Sequence, residues 1–198
     1  VKGNYPELRY DAYINQLRKD ATSFGYFWDG FNHFLFGLLF ICVFIKLRGR
    51  KEDFTGLMWL GLVLGSSSLF FLPNKLPFLS QPVSYWYQFF HYPVSDWDIL
   101  LLGGTWHRSF LTHSAIIPLL TIPLAKDRRV ALFILGLTVG VASHLAWDGY
   151  SSLNPMIVFY PKTAFIRGLY AKSWLYINSI GLIFLSEFYA RRLRQLDR

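Results

Sequence analysis

Residues 130–141, Val-Ala-Leu-Phe-Ile-Leu-Gly-Leu-Thr-Val-Gly-Val, are apolar on every face of a helix. A helix on the surface of a soluble protein would show a polar side, so this one belongs at the centre of a bundle or in a membrane. The surrounding chain favours the membrane. Apolar residues make up 53% of it and charged residues only 16%, against a usual charged share of about 25%. Four further apolar runs, 31–47, 55–72, 110–125 and 174–189, join 130–147. Each is near or just under the ~20 residues that a spanning helix wants. The expected fold is therefore all-α: a multi-span helical membrane protein with about five apolar helices and an interfacial aromatic segment. A soluble bundle with helices buried all round is the competing form.

Outside the runs, the chain divides in three. Residues 1–29 form an N-terminal arm with Tyr10, Tyr13, Ile14 and Leu17 at helical spacing, an amphipathic or interfacial element. Its mixed charges lack the apolar core of a signal peptide. Residues 30–190 form the membrane-embedded domain, and 191–198 a basic cytoplasmic tail. Within the domain, Pro73, Pro77, Pro82 and Pro93 interrupt a stretch crowded with Tyr85, Trp86, Tyr87, Phe89, Phe90 and Tyr92. Amphipathic aromatics suit the headgroup region, so this reads as an interfacial loop or re-entrant hairpin, with His91 at the interface.

The formal charge of +8 comes from basic residues at the ends of apolar runs. They do not form one stripe, which argues against nucleic acid. Lys46, Arg48, Arg50 and Lys51, then Lys126, Arg128 and Arg129, then Arg191, Arg192, Arg194 and Arg198 all fall on one face if 73–109 does not cross. The positive-inside rule makes that face cytoplasmic. A single cysteine, Cys42, excludes an internal disulfide framework and a Cys-rich zinc module.

Ionisable residues beside apolar segments are functional candidates by default. Asp96 and Asp98 sit in Ser95-Asp96-Trp97-Asp98, and an extended backbone there would point both carboxylates the same way. His107, Arg108 and His113 sit in 107–114, and His144 and Asp148 are four apart, on one helical face. His33 opens the first run. Under the topology above these groups reach one level of the membrane, on the non-cytoplasmic side, and include four of the five histidines.

Imidazoles and carboxylates without thiolate suit a divalent metal, zinc first, with manganese and iron as alternatives. Such an ion can generate hydroxide near neutral pH, and Arg108 would hold an anionic group such as phosphate by a forked contact. Each residue also has an ordinary use: His33 as a cap, Asp96 or Asp98 as an N-cap, His144 with Asp148 as a hydrogen-bonded pair, Arg108 reaching to headgroups.

The stretch His107-Arg108-Ser109-Phe110-Leu111-Thr112-His113-Ser114 resembles the His-Arg-x-x-Thr-His-Ser signature of the inner-membrane-associated metal-dependent hydrolases also called LexA-binding, with one extra residue between Arg108 and Thr112. Ser95-Asp96-Trp97-Asp98 is similar to that family's Pro-Asp-hydrophobic-Asp motif, with Ser95 in place of proline. Gly140 to Asp148 resembles its Gly-x-x-x-His-Leu-x-x-Asp motif, and Asn32 to Gly37 its His-Leu-x-x-Gly. The resemblance runs from about residue 30 to 190. It implies a helical hydrolase-like domain related to the zinc phospholipase C and nuclease group. His33, Asp96, Asp98, His107, His113, His144 and Asp148 would then be ligands or near neighbours, oriented by Thr112 and Ser114.

On this reading the chain cleaves a phosphoester of a lipid or lipid-linked substrate, with metal-generated hydroxide attacking, Arg108 stabilising charge, and Asp98 or Asp148 shuttling the proton. Its partners are membrane lipids and a protein bound through the arm or segment 73–93. The alternative is a non-enzymatic integral-membrane subunit that keeps the polar cluster for structure. An ion pathway would need polar residues through the full depth, and Ser66 to Ser68, Thr138 and Asn178 are too few.

Overall fold

The structure is a computed structural model. It describes residues 23–48, 55–69, 71, 87, 89–102, 107–159 and 164–196, with side chains from Phe27 in the first helix. The expected helix around Tyr10–Leu17, residues 73–86 of the aromatic segment and the end of the basic tail lie outside them.

Among the described residues, six α-helices follow in chain order: α1 (Ser23–Arg48), α2 (Gly56–Ser66), α3 (Trp97–Leu102), α4 (Ile116–Leu120), α5 (Arg128–Ser151) and α6 (Leu169–Leu196). An antiparallel hairpin, β1 (Met156–Phe159) with β2 (Ala164–Arg167), stands between α5 and α6. The described chain is thus mostly helical, with a small sheet the sequence reading did not expect.

Helix α5 is the axis. Asp127 caps it, its side chain accepting from the amides of Arg129 (2.9 Å) and Val130 (3.0 Å). From Ala131 onward almost every residue is buried, as its all-round apolarity requires. α2 lies against α5 with backbones in contact. Gly61 and Gly65 face Phe133, Leu137 and Val141, while Gly136 and Gly140 face Met58, Leu62 and Ser66. Numbers rise together along the pair, so the two helices are parallel. Small residues at four-residue spacing on both sides permit this approach, the device membrane helices use for close packing.

α1 and α6 run antiparallel to α5. Gly37 meets Ser143 while Ile41 joins the cluster around Ala131 and Leu132. Ser179 Oγ donates to the Ala142 carbonyl (2.7 Å), and Tyr189 packs in the same cluster as Ala131. Lys46, Lys126, Arg128, Arg129, Arg191, Arg192 and Arg194 therefore share one end of the molecule, and His33, His113, His144 and Asp148 the other.

Five spanning helices are not what the described chain contains. Two helices are long and apolar enough to cross a membrane, Phe27–Leu47 and Arg128–Ser151. The second run yields only the 11 residues of α2, which end at the serine triplet Ser66, Ser67 and Ser68, the last at φ 60°. The third run is broken: it yields only the five-residue α4, with Pro118 in its first turn, and then a 3-10 turn, Ile122–Leu124, that contains Pro123. α6 has the length, with 28 residues, but its Tyr, Trp, Ser and Asn content dilutes its hydropathy. The expected arm boundary at residue 29 also falls inside α1, which already starts at Ser23. His91, expected at the interface, is buried, edge-on to the Tyr87 ring at 4.9 Å.

A methyl group at Gly136 would overlap the Met58 carbonyl, whereas one at Gly181 of α6 meets nothing within 4 Å. Gly136→Ala should cost about 1–3 kcal/mol by overpacking. Gly181→Ala should be neutral or stabilising by up to about 1 kcal/mol. Thermal unfolding in detergent followed by circular dichroism separates the two; equal midpoints would contradict the close packing.

Candidate metal centre

Six segments meet at the end opposite the basic residues. α1 supplies Asp29 and His33, and α2 ends at the Ser66 carbonyl. A 3-10 turn, Val94–Asp96, presents Asp96, and α3 presents Asp98 in its first turn. Residues 107–115 supply His107, Arg108, Thr112 and His113, and the last turns of α5 supply His144 and Asp148.

The centre of the cluster is Asp96 Oδ1. His113 Nε2 stands 3.4 Å from it, His144 Nε2 3.5 Å and His107 Nδ1 3.6 Å. All four atoms are buried without a hydrogen-bond partner. Burying such atoms unpaired is costly, so the arrangement calls for a common partner. Ligands about 2.0–2.1 Å from a tetrahedral zinc lie roughly 3.3 Å apart. The three spacings from Asp96 Oδ1 are near that value and too long for good hydrogen bonds. Ligand atoms of Asp96, His107 and His113 fall within 4.8 Å of one another, and so do those of His113, His144 and Asp148. His113 belongs to both groups, and its Nε2 is also 3.4 Å from Asp148 Oδ2. The residues therefore fit a divalent ion of the nitrogen and oxygen class.

The rings are fixed from behind. The Ser66 carbonyl lies 3.0 Å from His144 Nδ1. A carbonyl only accepts, so Nδ1 carries the proton and the Nε2 lone pair faces the cluster. Behind His113, Thr112 Oγ1 is 3.2 Å from Nδ1 and donates at 2.6 Å to Asp98 Oδ2. Asp98 Oδ2 also accepts from the Ser109 amide at 2.7 Å and lies 3.7 Å from His113 Nδ1. Asp98 therefore supports His113 through Oδ2, while its Oδ1, buried and unpartnered, lies 4.0 Å from His107 Nδ1 beside the expected ligand Asp96. Both carboxylates reach the His107 and His113 rings, but from a 3-10 turn leading into α3 and not from the extended backbone that was expected.

Burial alone would raise the Asp96 carboxyl, but the facing imidazoles of His144 and His107 hold it well below the usual carboxylate range. Burial pulls His107 below the ordinary imidazole value, against the pull of Asp96. Burial would lower His113, but the facing carboxylates of Asp148, Asp96 and Asp98 hold it well above the ordinary imidazole value, so a bound ion would have to displace its proton.

Arg108 sits at φ 64°, a left-handed conformation uncommon for a residue with a side chain. Backbone bonds to β1 hold it there: Val158 N donates to the Arg108 carbonyl (3.0 Å) and Phe110 N to the Val158 carbonyl (2.9 Å). Its Nε donates to Asp148 Oδ2 (2.9 Å) and its Nη2 to Ser152 Oγ (2.7 Å). The fork expected to hold substrate is thus engaged with the protein, where it steadies Asp148. Ser114, expected to orient a histidine, instead accepts from the Ile116 amide (3.2 Å) and donates to the Leu111 carbonyl (3.2 Å).

His33 lies at the margin. Its ring stacks on that of His144 at 4.4 Å, and its Nε2 is 4.0 Å from Asp148 Oδ1 and 3.9 Å from Asp29 Oδ2. Asp29 was not anticipated. Its carboxylate, with 72% of the side chain exposed, is the acidic group open to solvent beside His33. The spacing of four from His33 was the available signal.

Comparison with protein-family models, curated proteins and solved structures finds no match to this chain.

Thr112→Val removes the hydroxyl that links Asp98 to His113 while conserving shape. By analogy with other metal-orienting partners, it should weaken metal affinity about 10–100-fold. Competition against a chromophoric chelator reads this directly, and unchanged affinity would remove Asp98 and Thr112 from the centre.

Proposed function

We propose that the chain is a membrane-embedded, metal-dependent hydrolase acting on a phosphoester of a lipid or lipid-linked substrate, akin to the inner-membrane hydrolases whose motifs its sequence resembles. The observation that carries the reading is Asp96 Oδ1 with three histidine nitrogens 3.4, 3.5 and 3.6 Å from it, all buried and unpartnered, in two overlapping groups that could each hold an ion. Asp96, His107, His113, His144 and Asp148 would hold the ion, zinc being the first expectation. When bound, it supplies Lewis acidity, making water a better nucleophile at neutral pH and drawing charge from a phosphoryl oxygen.

The chain's own groups divide the remaining work. Asp98 and Thr112 keep the Nε2 of His113 aimed at the centre. Arg108 fixes Asp148 and adds positive charge beside the site. Asp29, open to water, exchanges protons with solvent.

A lipid substrate follows from depth. His144 and Asp148 lie 16 and 20 residues beyond Arg128. At 1.5 Å per residue that is about 24 and 30 Å from the basic end of α5. The hydrocarbon layer is about 30 Å thick, so a centre at this height meets the opposite headgroups. With the basic end cytoplasmic, the site faces the non-cytoplasmic side. The alternative of a non-enzymatic subunit draws on the arm and segment 73–93, which lie mostly outside the described residues.

Liposome-reconstituted protein should release headgroup phosphate or its ester from fluorescent phospholipids. Chelation should stop turnover and zinc restore it, while His113→Ala falls to background with helicity retained. Turnover that survives both treatments would defeat the proposal.

A further inference from the structure

The end that carries the histidines also carries a lip. It consists of the turn after α5, the hairpin β1–β2 and the first turn of α6. Leu153 at the turn is 96% exposed, and Tyr150, Phe165, Leu169 and Tyr170 also stand in the open. The pieces are joined. Gly168, at φ +58°, donates its amide to the Pro155 carbonyl (3.0 Å), tying the turn to the start of α6. Arg167 lies over the Phe165 ring at 4.5 Å, with its Nε 3.4 Å from Met156 Sδ.

The charge of the lip is one-sided. Between Gly149 and Ser186 the sequence contains no Asp or Glu, while Arg167 and Lys172 stand at the hinge of hairpin and helix. Large apolar tips beside cations without acidic neighbours are the composition of a surface that meets anionic lipid. Along α6 the lip leads into the outward apolar residues Ile177, Ile180 and Phe184, and α1 also turns Leu35, Leu39 and Val43 outward. A protein partner for the lip alone would leave those faces uncovered, whereas a bilayer covers both. A hydrogen-bonded path runs from the lip to the centre: Ser152 Oγ to Arg108 (2.7 Å), then Arg108 to Asp148 (2.9 Å).

We propose that this lip binds the headgroup of an anionic phospholipid, with Leu153, Leu169 and Tyr170 set among the acyl chains and Arg167 and Lys172 on the phosphate. The proposal deepens the hydrolase reading, on which it rests for the lipid's fate, but not for its binding.

Native mass spectrometry of delipidated protein in detergent tests it, with phosphatidylglycerol, phosphatidylcholine or inorganic phosphate added. Wild-type protein should retain phosphatidylglycerol over phosphatidylcholine, and inorganic phosphate should not displace it. Arg167→Ala with Lys172→Ala should weaken the tightest phosphatidylglycerol by roughly tenfold. Lys126→Ala with Arg129→Ala, at the far end, should keep that tightest lipid, and Arg167→Lys should restore most of the binding. Unchanged helicity and metal content show that the double variant is folded. Equal retention of the two lipids, retention unaffected by the double variant, displacement by phosphate, or loss of a co-purifying polypeptide in place of lipid would each overturn the proposal. Binding is read on chelated as well as metal-loaded protein, so its failure and that of the hydrolase reading are separate results.

Discussion

Four polar atoms, Asp96 Oδ1 and one nitrogen each from His107, His113 and His144, lie together in a buried space, none of them with a hydrogen-bond partner. Packed apolar side chains would be the less costly way to fill such a place, because each unpaired polar group forfeits its hydration. A cation among them would remove that cost, and the supporting bonds would then aim the rings at it. Ser66 and Asp98 sit behind His144 and His113 as orienting groups sit behind metal-binding histidines.

The scaffold is arranged to hold those supports. The Ser66 carbonyl reaches His144 because α2 and α5 run parallel with their glycines in contact, so the end of the short helix comes level with the last turns of the long one. Asp148 is held by Arg108, which in turn is held in its left-handed conformation by β1. The hairpin is thus part of the frame of the centre. Trp174 of α6 closes the other side, its Nε1 donating to the His113 carbonyl at 2.8 Å.

The position of the cluster was legible in the sequence because charged and imidazole groups are rare in apolar chains, and here they recur at the same ends of successive runs. His33, Asp96, Asp98, His107, His113, His144 and Asp148 do come to one end of the fold. Their division of labour was not legible. It depends on a 3-10 turn that places Asp96 and Asp98 on different jobs, and on two glycine pairs whose meaning appears only when the helices touch. The prolines at 118 and 123 were visible, yet composition over 110–125 outweighed them in the reading of a third span. The strand residues Ile157, Val158 and Phe159 carried a β signal that a reading organised around spans passed over. Asp29 lay one helical turn before His33, on the wrong side of an assumed boundary.

The central claim is that the histidine and aspartate cluster is a metal centre built only from nitrogen and oxygen ligands. X-ray absorption at the metal edge, on purified protein with its ion content measured on the same sample, tests this most directly. A near-stoichiometric ion with nitrogen and oxygen neighbours at about 2.0–2.1 Å and the outer-ring scattering of several imidazoles is the predicted result. Protein free of metal that binds none on zinc addition, or an ion held through the sulfur of Cys42, would contradict it.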